Sequence, residues 1–415
     1  MRATLLISAV ILSACGPDLS AEDPDDLELG TAELATPRAP AKGLMSRTFT
    51  PRSPGPAFSA LMHDTVVQVS WTDLEASGAG TTSGGYYAAG THGWSVLESA
   101  LAQGYAVRLR IKAGGEAPAY VKRIGFTRGV GSSAALCPDG GVYVYNRQDA
   151  RGVCVPKFWD PSVIARYDAL MQEVSRRFGA APGLREVVDA ACMTTYAEPF
   201  YRAHGDTGSN QRLLDAGLTA GKDLYCHQRA IGIHNRWFPS VRTSLAVNGW
   251  DLVTPDTANR VRMGFQPTYD FLEGTGSAAF RMTSSGTPTT TRWPGARTVL
   301  GRRLVLQNNG LGEHDVCTAP TSANVQTDHF CYLSRVAQAG VHSVGFQTET
   351  MARLREDATG AIVRTEEEGV RLAIANALTM HAAFVEMPSG FEDWTSTTGV
   401  ALLRRSDAAL EANSP

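Results

Sequence analysis

"AVRLRIKAGG", residues 106–115, alternates two kinds of side chain. In a β-strand Val107, Leu109 and Ile111 share one face, and Arg108, Arg110 and Lys112 share the other. "HSVGFQTET", residues 342–350, behaves the same way, with Val344 and Phe346 on one side and Ser343, Gly345, Gln347 and Glu349 on the other. If the apolar faces meet helices, the polar faces meet each other inside a closed sheet. Buried arginines there need carboxylate partners, because an unpaired buried charge is prohibitively costly. A barrel with a purely structural interior would carry branched aliphatics at those positions. The alternation therefore predicts a barrel with a polar site inside it.

Other short β-rich runs fall between amphipathic helices: "TVVQVSW" (65–71), "VVDAACM" (187–193), "SLAVN" (244–248), "RLVLQ" (303–307) and "AFVEM" (383–387). An eighth strand fits near 44–50. In "DPSVIARYDALMQEVSRRFG" Asp160 is a natural N-cap and Pro161 suits the first helical position. Val163, Ile164, Tyr167, Leu170, Met171, Val174 and Phe178 make one apolar stripe. Thr365 and Glu368 stand at capping-box spacing, and "WSVLESALAQG" and "FCYLSRVAQAG" end in glycine before a strand. Repeated strand–helix order implies parallel strands with right-handed crossovers. The fold class is α/β: a (β/α)8 TIM barrel with long βα loops. No Gly-rich βα turn of phosphate-binding type supports a doubly wound sheet instead.

The chain opens with "MRATLLISAVILSACG", one basic residue and an apolar run too short to span a bilayer. Its Leu12-Ser13-Ala14-Cys15 resembles the lipobox of bacterial lipoproteins. The resemblance implies removal of residues 1–14, a lipid on Cys15 and export to the cell envelope, at the outer membrane or the cell surface. Residues 15–43, rich in Asp, Glu, Pro and Ala, read as a disordered tether, and 44–415 as the barrel domain. Six further cysteines, Cys137, Cys154, Cys192, Cys226, Cys317 and Cys331, suggest disulfides in an exported chain, with connectivity left open. The local pairs 137/154 and 317/331 would staple two loops. No CxxC or HxxxH spacing favours zinc, so neither metal nor cofactor is expected. With a net charge of −3 and scattered basic residues, nothing suggests a nucleic-acid partner, and none is expected.

In this fold the active site lies at the C-terminal ends of the strands. Two glutamates are expected there: Glu198, in "MTTYAEPF" after the 187–193 run, and Glu349. Two carboxylates flanking a glycosidic bond suffice to break it, one as acid and one as nucleophile or base. "VVQVSWTDLEASGAG", "WSVLESALAQGYAVRLRIKAGGEAPAYV" and "VPKFWDPSVIARYDALMQEVSRRFG" leading to "AEPF" resemble the clan-A glycoside hydrolases, particularly the β-galactosidase-like ones. The resemblance implies an acid/base after strand 4, matched by Glu198, and a nucleophile after strand 7, matched by Glu349. One position departs: clan members carry Asn before the acid/base, and this chain has Ala197.

Arg110 is expected to hold a catalytic carboxylate ionised, with Gln347 beside it. Asn308 or Asn309, in "LQNNG", could replace the missing asparagine. Trp71, Trp159, Tyr196, Trp250 and Trp394 lie near expected strand ends, where aromatic faces stack on sugar rings. Glu75, Glu116, Glu313 and Glu386 are rival carboxylates. The expectation is a lipid-anchored, retaining glycoside hydrolase whose partner is an oligo- or polysaccharide. The alternative is a non-catalytic carbohydrate-binding lipoprotein on the same scaffold.

Overall fold

In the computed structural model the described residues are 36–47, 49, 61, 63–76, 84–126, 136–146, 151–192, 207–248, 265–312, 315–357, 359–391, 394 and 397–415. Eight parallel strands close a barrel in sequence order. They are β1 (Gly43–Ser46), β2 (Asp64–Ser70), β3 (Ala106–Lys112), β4 (Leu184–Val188), β5 (Arg242–Ala246), β6 (Leu304–Leu311), β7 (Ser343–Thr348) and β8 (Phe384–Met387). The seam closes by parallel pairing of β8 with β1, Phe384 opposite Gly43. Helices α1 (His92–Ala102), α2 (Pro161–Phe178), α3 (Ala220–Trp237), α4 (Ala296–Leu300), α5 (His329–Gln338), α6 (Glu366–Thr379) and α7 (Thr397–Ala412) return the chain between strands or follow the last one.

The helix signals work as their chemistry requires. Asp160 accepts from Ser162 N, and the buried side of α2 is the stripe Val163, Ile164, Tyr167, Leu170, Met171, Val174 and Phe178. Thr365 and Glu368 form a reciprocal capping box. Gly104 (φ +84°) and Gly340 (φ +64°) turn the chain from α1 into β3 and from α5 into β7, a left-handed conformation that costs glycine little. Burial of the outer strand faces against these helices supplies two large apolar clusters. A third, smaller one fills the lower barrel with Ala41, Met45, Val66, Val305, Ala383 and Phe384.

Three boundaries differ from expectation. β4 spans Leu184–Val188, three residues earlier than the apolar run suggests, so Glu198 lies ten residues beyond its end. Asp189 Oδ1 accepts from Ala191 N at 3.0 Å, which starts a turn. Cys192 then takes φ +60°, a conformation that a residue with a side chain rarely holds. The first strand is Gly43–Ser46 rather than 44–50. Residues 36–43, expected within the tether, are packed against the barrel. Arg38 N bonds Ser240 O at 2.9 Å, and Arg38 Nη1 donates to Ala181 O and Leu184 O at 2.5 and 2.6 Å. Arg38 Nη2 also reaches Gly179 O, so a guanidinium satisfies carbonyls at the C-terminal end of α2, where positive charge is favoured. Residues 36–42 thus belong to the floor of the barrel, with Ala41 fully buried.

The six cysteines among the described residues pair: Cys137–Cys154, Cys192–Cys226 and Cys317–Cys331. Three disulfides fit an oxidising compartment. No helix among the described residues is long and apolar enough to cross a membrane. Cys192–Cys226 ties the segment after β4 to α3 and closes the longest loop, with a sequence separation of 34. The chain-entropy relation gives about 4 kcal/mol for such a loop. Cys192→Ala/Cys226→Ala is therefore expected to lower the urea midpoint more than loss of either other bridge. Equal midpoints for the three double variants would show that loop length does not set their contributions.

Candidate active site

Above the apolar floor the barrel interior is ionic. Arg108 and Arg110 project inward from β3, Glu186 from β4, Gln307 from β6 and Glu386 from β8, all nearly or fully buried. Arg108 Nε donates to Glu186 Oε2 at 2.6 Å, and its Nη1 to Glu386 Oε1 at 2.9 Å and to Gln307 Oε1. Arg110 Nη2 spans both Glu386 oxygens at 2.7 and 2.8 Å. The Arg108 guanidinium also lies 4.1 Å over the Phe384 ring. That ring crosses the barrel so closely that a Cβ on Gly345 would stand 2.2 Å from it, which demands glycine there. Burial alone would raise the Glu386 carboxyl, but Arg110 and Arg108 outweigh it and bring the pKa to about 2. Glu386 is a locked anion of the interior.

Arg110, expected to contact Glu349 or Glu198, bonds Glu386 among the described residues, and Glu198 lies outside them. Glu349 stands one layer higher, directly after β7, with its N donating to Leu311 O of β6 at 3.0 Å. Its side chain lies against the end of β6, where a methyl group on Gly310 would come within 3.4 Å of Oε1. Burial pushes the Glu349 carboxyl above its usual range, Arg353 and Arg47 pull it back, and Asp315 adds to the rise. Arg47, just past β1, also donates through Nη2 to Thr348 Oγ1 at 3.2 Å and to Thr348 O. A half-buried carboxyl between two cations and an anion can either hold or release a proton near the mouth of the barrel.

Gln347 lies two residues before Glu349, level with Glu386, and its buried Oε1 has no hydrogen-bond partner among the described residues. Asn308 is committed to backbone and neighbour. Its Nδ2 donates to Val247 O and Asn248 Oδ1 at 3.3 and 2.9 Å, and its Oδ1 accepts from Gly310 N at 3.1 Å. The next residue, Asn309, accepts from Gln307 Nε2 at 3.0 Å. Asn308 thus clamps the end of β5 to β6, and Asn309 joins the network through inward-facing Gln307.

Trp71, expected as a sugar platform, is 1 % exposed. It opens the helical turn Trp71–Leu74, donates from Nε1 to Glu75 Oε2 at 2.8 Å and meets Tyr167 edge-on. It is a core residue. Trp394 is 9 % exposed and packs in the second apolar cluster beside β8. Glu75 is held by Trp71 and by the Tyr120 hydroxyl at 2.5 Å, while Glu116 takes Ser70 Oγ and Lys112 Nζ. Both rivals are engaged locally. Glu198, Tyr196, Trp250 and Glu313 lie outside the described residues.

Sequence reasoning overlooked Glu186, Arg47, Arg353, Asp315 and Asp189. Glu186 was hidden by the misplaced start of β4; beginning the strand at Leu184 puts it on the inward face with Arg108. Asp189 points the other way, into the helix layer. Its pKa rises to about 6 because burial outweighs His227 and the hydrogen bonds to it. Tyr167 and His234, 2.9 Å apart, complete that buried polar group.

No protein-family profile and no curated protein sequence matches the chain. Among solved structures it aligns with endo-glycoceramidase II from Rhodococcus sp., at 13 % identity and TM-score 0.44, over 89 % of this chain and 80 % of that one. It aligns with the Pseudomonas stutzeri endoglucanase Cel5A at 10 % identity and TM-score 0.40, over 89 % and 96 %. The catalytic domain of the major endoglucanase from Xanthomonas campestris pv. campestris aligns at 12 % identity and TM-score 0.33, over 85 % and 84 %.

Proposed function

We propose that the protein is a retaining glycoside hydrolase of oligo- or polysaccharides, exported and anchored through a lipid on Cys15. The observation that carries this reading is Glu349, a half-buried carboxyl immediately past β7, flanked electrostatically by Arg47, Arg353 and Asp315 above an ionic barrel interior. Glu349 as nucleophile would bond to the anomeric carbon while Glu198 gives its proton to the departing oxygen. Water, losing a proton to Glu198, would then cleave the glycosyl ester and restore both carboxyls.

The test is a screen of aryl glycosides and polysaccharides, followed by NMR of the first-formed anomer. Hydrolysis with retention is expected; inversion would reassign Glu349 as a base, and no hydrolysis would leave the alternative. That alternative is a non-catalytic carbohydrate-binding barrel, favoured by Ala197 where a hydroxyl-binding Asn would serve catalysis. For the anchor, Cys15→Ser is expected to abolish palmitate labelling and detergent partitioning. Partitioning like the parent would rule out a lipid on Cys15.

A further inference from the structure

The end of β6 lies between two carboxylates. A Cβ on Gly312 would come within 3.1 Å of Asp315 Oδ2 and 4.0 Å of Glu349 Cγ, and one on Gly310 within 3.4 Å of Glu349 Oε1. This strand end is fixed through both backbone groups of one residue. Gly312 N donates to Asp315 Oδ2 at 2.7 Å, and Gly312 O accepts from Asn376 Nδ2 of α6 at 2.9 Å. Two residues past Asp315 the chain is bonded to α5 through Cys317–Cys331. Glycine at 310 and 312 leaves the Glu349 side chain room to lie along this strand end.

We propose that Asp315 is a positioning residue for Glu349, clamping the Gly310–Gly312 end of β6 against the Glu349 side chain and setting a second negative charge beside it. This deepens the glycosidase reading by naming what governs the protonation of its nucleophile. Among the described residues the groups facing Glu349 come from three segments: Arg47 past β1, Asp315 in the β6–α5 connection, and Arg353 with Thr350 N directly after β7. Arg353 and Arg47 favour the ionised form and Asp315 opposes it, as like charges at one site do. Removing either negative charge is therefore expected to shift the other carboxyl downward.

The test needs no substrate, so it stands or fails separately from the proposed activity. The full chain is labelled with side-chain carboxyl 13C in Glu and Asp, and the Glu349 and Asp315 signals are followed with pH. Asp315→Asn is expected to move the Glu349 midpoint downward, and Asp315→Glu to restore it toward the parent value. Glu349→Gln is expected to move the Asp315 midpoint downward in return. A Glu349 midpoint unmoved by Asp315→Asn would overturn the proposal. If that variant fails to fold, an Asp315 midpoint unmoved by Glu349→Gln overturns it alone.

Discussion

Glu349→Gln is expected to lower kcat on an aryl glycoside by about 10^4-fold or more, the scale on which enzymes lose a covalent nucleophile rather than a binding contact. Stability should move little or rise. The parent carboxyl is half-buried and its pKa is raised in the folded protein, so its proton favours folding. That contribution is complete below the unfolded pKa and is lost as pH rises through the folded value. At neutral pH a neutral amide of the same shape therefore removes a cost. Activity and urea midpoint measured on one preparation separate the two effects. Glu198→Gln should behave differently, losing roughly 10^2- to 10^4-fold on natural glycosides and much less on substrates with good leaving groups, which need little protonation. Full turnover in Glu349→Gln would remove the nucleophile from the assignment.

The barrel was legible because its signals are local. Alternation in 106–112, the Asp160 cap with its apolar stripe and the capping box at Thr365 each depend on residues a few positions apart, and the structure uses all three. The inward face of β3 was legible for the same reason. Its partners were not. Glu386 reaches Arg110 from a strand 276 positions away, and alternation tells which face a side chain takes but not which strand stands opposite. β4 was misplaced because "VVDAACM" is β-rich throughout, whereas the turn at Asp189 and the left-handed Cys192 are tertiary features held by a disulfide to α3. Trp71 was misjudged because an aromatic at a strand end can face the cleft or the core. Its Glu75 partner four residues on draws it into the core.

Arg108→Met is expected to destabilise the fold by about 3–5 kcal/mol, the size seen when one partner of a buried ion pair is removed. The loss comes from what remains. Glu186, fully buried, would lose its contacts to Nε and Nη2 of Arg108 and keep the amide of Ala41 at 2.9 Å. Glu386 would keep Arg110 alone. Pairing the change with Glu186→Gln should recover part of the loss, because the stranded charge is then gone. The same network predicts a pH signature. The Glu386 pKa falls from 4.5 to about 2 on folding, so its stabilisation is present above pH 4.5 and disappears as pH falls through about 2. The shift corresponds to on the order of 3 kcal/mol. In Arg108→Met the folded pKa of Glu386 rises, so this acid loss should begin at higher pH than in the parent. Urea unfolding at several values between pH 2 and 5 measures both effects. A change under about 1 kcal/mol at neutral pH, with parallel acid profiles, would mean that these side chains fill the barrel without holding it together.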